Sequence, residues 1–453
     1  MPISRKSSRH NPADLRPGTD WIDSRAFFCR RRESFPVAYD PFESGGPSMK
    51  RFLLVILTLL ALVIAVREVP CADHPVSPGV AFAAAGHSGT ETIGVILPLT
   101  GKYANYGNHV LDAILMASSI LNGTQPTPLS LQIRDSESRP ETLPGLVAEL
   151  ADREKAILIL GPLGEGTEAA RLAREKKVPI LVFTQQEGIS RDNAYILRDY
   201  LTIRAQIQAL ADYAVTRKGL RRFAMLYPGD NGGREAARLF REEITRRGGR
   251  VIRERTYGRR QSDFTDEIRS LAGVKEAYRR EIVEPEGTIE IAVSPTVDFE
   301  AIFFPDSLGP AMLAASQLAD LQLQGVRMMG LSSWNQTARV RTGGSVMEGA
   351  VFTDMFCQNE PSRTVQDFIE RYYAATGREP GSLEAMAYDG MTLAVRTIVN
   401  EKPGSREELR RMMIANRDFR GVSGKLPFAP DGESRRVAMI LKITQGQIVP
   451  VRE

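Results

Sequence analysis

The chain has 453 residues, 42% of them hydrophobic and 25% charged, enough to bury more than one core because single cores stop growing near about 250–300 residues. The formal net charge is +4 and part of it sits in an arginine-rich opening segment, which argues against nucleic acid as a partner. Three of the four histidines (His10, His74, His87) precede the first firm strand, and Cys29, Cys71 and Cys357 show no CxxC spacing, so a zinc site, a Ser-His-Asp triad and a disulfide framework all lack parts.

In chain order, residues 1–48 are rich in Arg, Ser and Pro and carry no apolar period, so they read as a disordered or mis-assigned N-terminal extension. Met49-Lys50-Arg51 and the uncharged aliphatic run Phe52 to Val66 read as the basic and apolar regions of a signal peptide over 49–72, followed by a linker over 73–91. Cleavage near Ala72 or near Ala83 and Ala85 fits equally. Retention of the leader as a membrane anchor, or lipidation of Cys71, is the alternative, though Glu68-Val69-Pro70 departs from a lipidation signal. The expected location is the periplasm.

From Thr92 the pattern alternates. Strands are expected at Ile93 to Leu97, Leu129 to Arg134, Ala156 to Leu160 and Pro179 to Phe183, with helices at Gly107 to Leu121, Glu141 to Ala151 and Thr167 to Lys177 between them. Continuous apolar strands alternating with amphipathic helices predict a parallel sheet covered on both faces. After the short strand Tyr195 to Arg198 and the helix Leu201 to Arg217, a second round begins: strands Arg222 to Tyr227, Val251 to Thr256, Ala301 to Phe304 and Arg327 to Leu331, and helices Arg234 to Arg247, Asp263 to Leu271 and Pro310 to Leu321. The charged stretch Gly273 to Asp298 reads as a surface insertion. Helices Ser362 to Ala375, Leu383 to Asn400 and Ser405 to Ala415 are expected to return to the first lobe, and a hairpin over Val437 to Val451 to finish the second. The expected domains are therefore 92–200 with about 355–424, and 201–354 with 425–453. Such folds bind small molecules in the crevice outside the carboxyl ends of their parallel strands, where helix N-termini offer unpaired N–H groups.

Ile93-Gly94-Val95, Pro98-Leu99-Thr100-Gly101, Tyr106-Gly107, Gly161-Pro162, Val178-Pro179-Ile180, Ala387-Tyr388-Asp389-Gly390 and Gly421-Val422-Ser423-Gly424, in this order and spacing, resemble the leucine/isoleucine/valine-binding branch of type I periplasmic solute-binding proteins. The resemblance implies an α/β fold of two Rossmann-like lobes with parallel sheets, joined by three hinge crossovers. It implies a non-enzymatic, monomeric protein, without cofactor, that closes on a small solute, an amino acid or related compound, for an ABC permease. Crossings are expected near Arg198 to Ile203, from Phe352 to Phe356 or later, and at Gly424 to Pro427, with Ser332 to Gln336 a further candidate.

By the same resemblance, the turn Gly161 to Thr167 would hold a ligand carboxylate, with Leu163 and Gly164 offering backbone N–H groups and Thr167 a hydroxyl; Glu165 sets a negative charge against that reading. Thr184 and Gln185 follow the next strand at a position that gathers ligand polar groups. Asp230 and Asp306 follow strands of the second lobe and would hold an amine or else cap helices. Tyr103, Tyr106 and Trp334 are candidate apolar walls, and His109 reads as a structural histidine. The insertion and Leu331-Ser332-Ser333-Trp334-Asn335 are also similar to activators of penicillin-binding proteins, so a peptidoglycan synthase is the alternative partner. The sequence has no G-x-S-x-G elbow and no P-loop lysine, which speaks against an enzyme.

Overall fold

In the computed structural model, the described residues are 91–120, 129–191, 194–273, 279–284, 287–292, 297–323 and 325–452. The expected extension and leader, and the expected linker up to residue 90, lie outside them; the last linker residue, Glu91, is the first of a strand. Among the described residues no helix is long and apolar enough to cross a membrane.

The first sheet contains β1 (Glu91–Leu97), β2 (Leu129–Asp135), β3 (Leu158–Leu163), β4 (Ile180–Phe183) and β5 (Ile196–Arg198) in the order β2-β1-β3-β4-β5, all parallel. The crossover segments are α1 (Ala104–Ile120), α2 (Leu143–Asp152) and α3 (Thr167–Lys176). β1 and β3 to β5 are almost wholly buried while edge strand β2 is half-buried, which is why the inner strands read as unbroken apolar runs. β3 runs three residues past the expected end at Leu160: Gly161 and Pro162 lie in a register shift inside it. Gly161 takes φ +93°, and a Cβ there would stand 2.0 Å from the Ile96 carbonyl oxygen, so only glycine fits the bulge.

The second sheet repeats the plan with β6 (Arg222–Pro228), β7 (Arg250–Tyr257), β10 (Ala301–Phe303), β11 (Arg327–Gly330) and β12 (Val351–Asp354), ordered β7-β6-β10-β11-β12 and extended antiparallel by β15 (Met439–Thr444) and β16 (Gln447–Pro450). Its helices are α4 (Ile203–Ala211), α5 (Asn231–Arg246), α6 (Thr265–Ala272), α7 (Leu308–Asp320) and the short α8 (Thr337–Gly343). The expected single helix from Leu201 to Arg217 is α4 followed by a π-helical turn over Asp212–Arg217. In the charged insertion, β8 (Arg279–Glu284) and β9 (Gly287–Ala292) form a separate antiparallel hairpin.

Past β12 the chain crosses back. α9 (Arg363–Thr376), α10 (Ser382–Glu401) and α11 (Arg406–Ala415) bury Phe368, Met386, Leu393 and Met413 in one cluster with Ile93, Val95 and Leu160. The opposite face of the same sheet packs on α2 and α3 through Val147, Leu150, Ala169 and Ala173. The second sheet is likewise sandwiched, by α4 and α5 on one side and α6 and α7 on the other. A small hairpin of β13 (Arg420–Gly421) and β14 (Gly424–Lys425) precedes the last crossing.

Two of the crossings are fastened to each other. Asp199 and Arg436 form a fully buried pair at 2.5 Å, and Arg198 reaches Glu433 at 2.5 Å. Backbone bonds join the same segments, Arg198 N–H to the Gly432 carbonyl at 2.8 Å and Ser434 N–H to the Arg198 carbonyl at 2.9 Å.

Candidate functional site

The strand order of the first sheet reverses direction between β1 and β3, and a crevice opens at such a switch point because the crossovers on either side leave on opposite faces. A cavity of about 620 Å³ lies there, within the range of small-molecule sites. Its wall comes from the carboxyl ends of four strands: Pro98 after β1, Ser136 to Pro140 without Glu137 after β2, Pro162 to Glu165 around the end of β3, and Phe183 to Gln186 after β4. Tyr103 and Tyr106 from the start of α1, Leu143 from α2, Tyr200 from the first crossing and Leu383 from α10 complete it.

The rim is fixed by side chains that hold loop to loop. Asp135 accepts from the Leu99, Thr100 and Glu137 N–H groups at 2.8, 3.2 and 2.7 Å and from the Thr100 hydroxyl at 2.7 Å. Partial burial pushes its carboxyl upward, and these hydrogen bonds, Thr100's first, more than offset that and hold it below the ordinary value. Ser138 Oγ donates to the Thr100 carbonyl at 2.8 Å and accepts from Tyr103 N–H at 3.0 Å. The β2 loop thereby fixes the backbone at Tyr103, just before α1 and Tyr106; the two tyrosines are 45% and 56% exposed, and Lys102 Nζ lies 4.9 Å from the centre of the Tyr103 ring.

On the far wall, Thr184 is buried. Its Oγ1 accepts from Gln186 N–H at 3.1 Å, and its carbonyl accepts from Arg198 at 2.9 Å. Gln185 Nε2 donates to the Tyr200 hydroxyl at 3.1 Å. Burial holds the Tyr200 phenol above its usual pKa, so at neutral pH it is a neutral donor and acceptor. Among the described residues the charged side chains on the wall are Arg139 and Glu165, both exposed.

Six of the ten expected contacts therefore share one wall: Tyr103, Tyr106, Leu163, Gly164, Thr184 and Gln185. Within that set the Gly164 N–H already donates to the Phe183 carbonyl at 2.9 Å, which removes it as a ligand donor. The other four stand elsewhere. Thr167 opens α3 outside the cavity, its hydroxyl 3.2 Å from Gln186 Oε1. Asp230 caps α5 by accepting from Gly233 N–H at 2.8 Å and pairs with Arg259. Asp306 accepts from the Tyr257 hydroxyl at 2.8 Å and from Ser307 N–H at 2.6 Å.

Trp334 is 0% exposed, packed beside Phe352, with its indole N–H donating to the Asp306 carbonyl at 2.9 Å. An aromatic after a strand end reads the same as wall or as core; here the close approach of Gly330 beneath the ring makes it core. His109 is structural, its Nδ1 3.1 Å from Glu384 Oε1, and among the described residues no His, Cys, Asp and Glu cluster is placed to hold a metal.

Sequence reasoning missed the β2 loop. Ser136, Ser138 and Arg139 were readable by the rule that flagged the other turns, since they too follow the carboxyl end of a parallel strand, but a run of Asp, Ser, Glu and Arg before a proline looks like an ordinary solvated turn.

No curated protein matches the chain by sequence. In fold it is similar to a leucine-binding protein from Thermotoga maritima (21% identity over 80% of this chain and 98% of that one, TM-score 0.59). It is equally similar to a branched-chain amino acid transporter substrate-binding protein from Streptococcus pneumoniae in complex with isoleucine (18%, 80% and 100%, TM-score 0.59). A third likeness is an ABC transporter solute-binding protein from Rhodopseudomonas palustris in complex with 3,4-dihydroxybenzoic acid (21%, 80% and 97%, TM-score 0.60). The sequence profile of the periplasmic binding protein family matches residues 90–447, and the chain belongs to that family.

Proposed function

We propose that this protein is an exported solute receptor that takes a small organic compound into the cavity at the switch point of its first sheet and presents it to an ABC permease. The observation that carries the reading is the cavity itself: about 620 Å³, walled by tyrosines and aliphatic residues with a few hydroxyl, amide and charged groups, which is the usual make-up of a small-molecule site. Tyr103, Tyr106, Leu163, Thr184 and Gln185 would contact the solute. The proteins of similar fold described above hold isoleucine and 3,4-dihydroxybenzoic acid, and both are carboxylic acids with an apolar body that a wall of this kind would accept. The second lobe would swing over the bound solute about the three crossings, because a guest touching both lobes favours the closed arrangement by its differential affinity alone.

Binding of this kind is read by mass action: a solute at a hundred times its Kd stabilises the folded protein by about 2.7 kcal/mol. Thermal unfolding should rise with at least one compound in a panel of amino acids, aromatic acids, short peptides and muropeptides. No shift with any of them would sink the reading. The alternative role as an activator of a peptidoglycan synthase draws on the β8–β9 hairpin, which among the described residues pairs with neither sheet. Capture of such a synthase by the intact protein, lost when the hairpin is deleted, would favour it.

A further inference from the structure

We infer that the cavity between the first and last crossings is a second binding site, separate from the one at the switch point, that takes a phosphate-type oxyanion and, by holding it from both sides of the pivot, opposes rotation of the lobes.

The pivot follows from what is tied down. Glu433, on the last crossing, accepts from Gly188 N–H at 3.2 Å, from the Ser190 hydroxyl at 2.6 Å and from Arg198 Nε at 2.5 Å, and Arg198 also donates to the Thr184 carbonyl at 2.9 Å. Arg436 grips Asp199 and donates to Ser423 Oγ at 2.8 Å, in the turn of the β13–β14 hairpin. Gly188, Ser190, Thr184 and Ser423 all belong to the first lobe, so the two crossings move with that lobe as far as Asp199 and Arg436. The second lobe resumes at Thr202, the N-cap of α4, and at Met439, the first residue of β15. Rotation is taken up in the few residues between, where Val437 is 79% exposed.

A cavity of about 300 Å³ straddles this pivot. The loop after β4 lines it with Glu187 and Arg191, the start of α4 with Thr202 and Arg204, and the last crossing with Asp431 and Arg435. Of the five arginines on its wall, Arg198 and Arg436 are neutralised by Glu433 and Asp199. Arg191 and Arg435 meet no carboxylate among the described residues, and Arg204 stands 3.9 Å from Glu187, beyond hydrogen-bond reach. Three guanidinium groups therefore keep N–H donors in the planar forks that match phosphate oxygens.

The carboxylates of the wall do not reverse this balance. Glu433 already has its three donors, Asp431 is exposed and accepts from Glu433 N–H at 3.1 Å, and Glu187 is half-exposed. A cation entering here would have two rim carboxylates to set against three uncompensated arginines. The Arg191 guanidinium lies along Gly188, 3.7–4.0 Å from where a Cβ would stand, next to the N–H that Glu433 accepts. Arg191 comes from the first lobe, Arg204 from the second and Arg435 from the crossing between them. An oxyanion held by all three favours one angle between the lobes by its differential affinity alone.

Calorimetry on the purified protein, at an ionic strength fixed with sodium chloride because salt screens such contacts, measures Kd for inorganic phosphate and for glycerol 3-phosphate. At least one should bind at a single site; tighter binding of the ester makes an organic phosphate the occupant, and tighter binding of phosphate makes it the free oxyanion. Arg191→Gln, Arg204→Gln and Arg435→Gln should each raise that Kd by about tenfold, the scale of one charge-assisted hydrogen bond, with the unfolding temperature of the free protein unchanged. Glu187→Gln should lower it. Arg238→Gln, which removes the same charge from the exposed face of α5, should leave it unchanged. Amide hydrogen exchange with phosphate bound should slow in residues 187–191, 200–206 and 433–437. No binding of either compound, or an equal loss in Arg238→Gln, would reduce the site to diffuse charge and overturn the inference. Protection confined to 187–191 would place the anion on the loop alone and overturn the bridging of the lobes. Phosphate binding by a protein that takes no solute would sink the receptor reading and leave this site standing.

Discussion

Asp354 ends β12 where the chain leaves the second sheet, and it is buried with only neutral donors around it. Asn335 Nδ2 at 2.8 Å and the Ser382 hydroxyl at 2.6 Å reach one oxygen, and the Met355 N–H at 2.7 Å reaches the other. Burial pushes its carboxyl up to about 6, against the smaller downward pull of those bonds. The folded protein therefore holds this proton more tightly than the unfolded chain, whose value is the ordinary 3.8. Stability from this group is full below about pH 4 and is lost as pH rises toward 6, by about 2–3 kcal/mol. Urea unfolding at pH 4.5, 5.5 and 7 should show wild type losing stability across that interval relative to Asp354→Asn. Parallel curves for the two proteins would show that Asp354 is already ionised throughout.

At the scale of elements the two lobes share one device. Gly107 in α1 and Gly233 in α5 each face the carbonyl of a proline after or at the end of a strand, Pro98 and Pro228, and a Cβ at either would stand 2.1 Å from that oxygen. No side chain gives way there, so the helix must move off the strand end. Gly107→Ala and Gly233→Ala should each cost about 1–3 kcal/mol, as overpacking does. Only Gly107→Ala should also weaken solute binding, because α1 carries Tyr106 and follows Tyr103. Equal losses of affinity in both variants would mean that the helix shift does not reach the cavity directly. The same region shows what could be read from residues alone. The β1–α1 turn was legible because Pro, Gly and an apolar period mark it, and the parallel pairing of the first sheet followed from the alternation of elements; the order of its strands was not legible, since it rests on pairings remote in sequence. β12 was read as a crossing, because its four residues Val351–Asp354 are too few to show a period. Asp230, Asp306 and Trp334 stand outside the cavity, and the sequence could not tell this because a residue after a strand end reads alike whether it caps, packs or lines. Which it does depends on partners remote in sequence, such as Arg259, Tyr257 and Phe352.

The whole molecule depends on a first lobe built from two separated stretches of chain, so neither lobe is continuous and the crossings must hold in both. Arg436 and Asp199 lie on two of those crossings and are essentially inaccessible; the guanidinium takes both oxygens of Asp199, and its Nη1 donates to Ser423 Oγ at 2.8 Å. Removing one member of such a pair strands a buried charge and costs about 3–5 kcal/mol, whereas replacing both with apolar residues of similar volume is often neutral or better. Arg436→Ala should accordingly lower the urea midpoint sharply, and Arg436→Met combined with Asp199→Leu should recover most of the loss. Because the crossing segments belong to both lobes, the loss should appear as one shifted transition. Fluorescence of Trp334, buried in the second lobe and read in a Trp21→Phe background, and far-UV circular dichroism, which reports both lobes, should trace the same curve. If the tryptophan signal held its wild-type midpoint while the dichroism fell early, the lobes would be unfolding separately and the crossings would not couple them. A double variant as unstable as Arg436→Ala would show that the hydrogen bonds of the pair, to Ser423 included, contribute more than its buried charge costs.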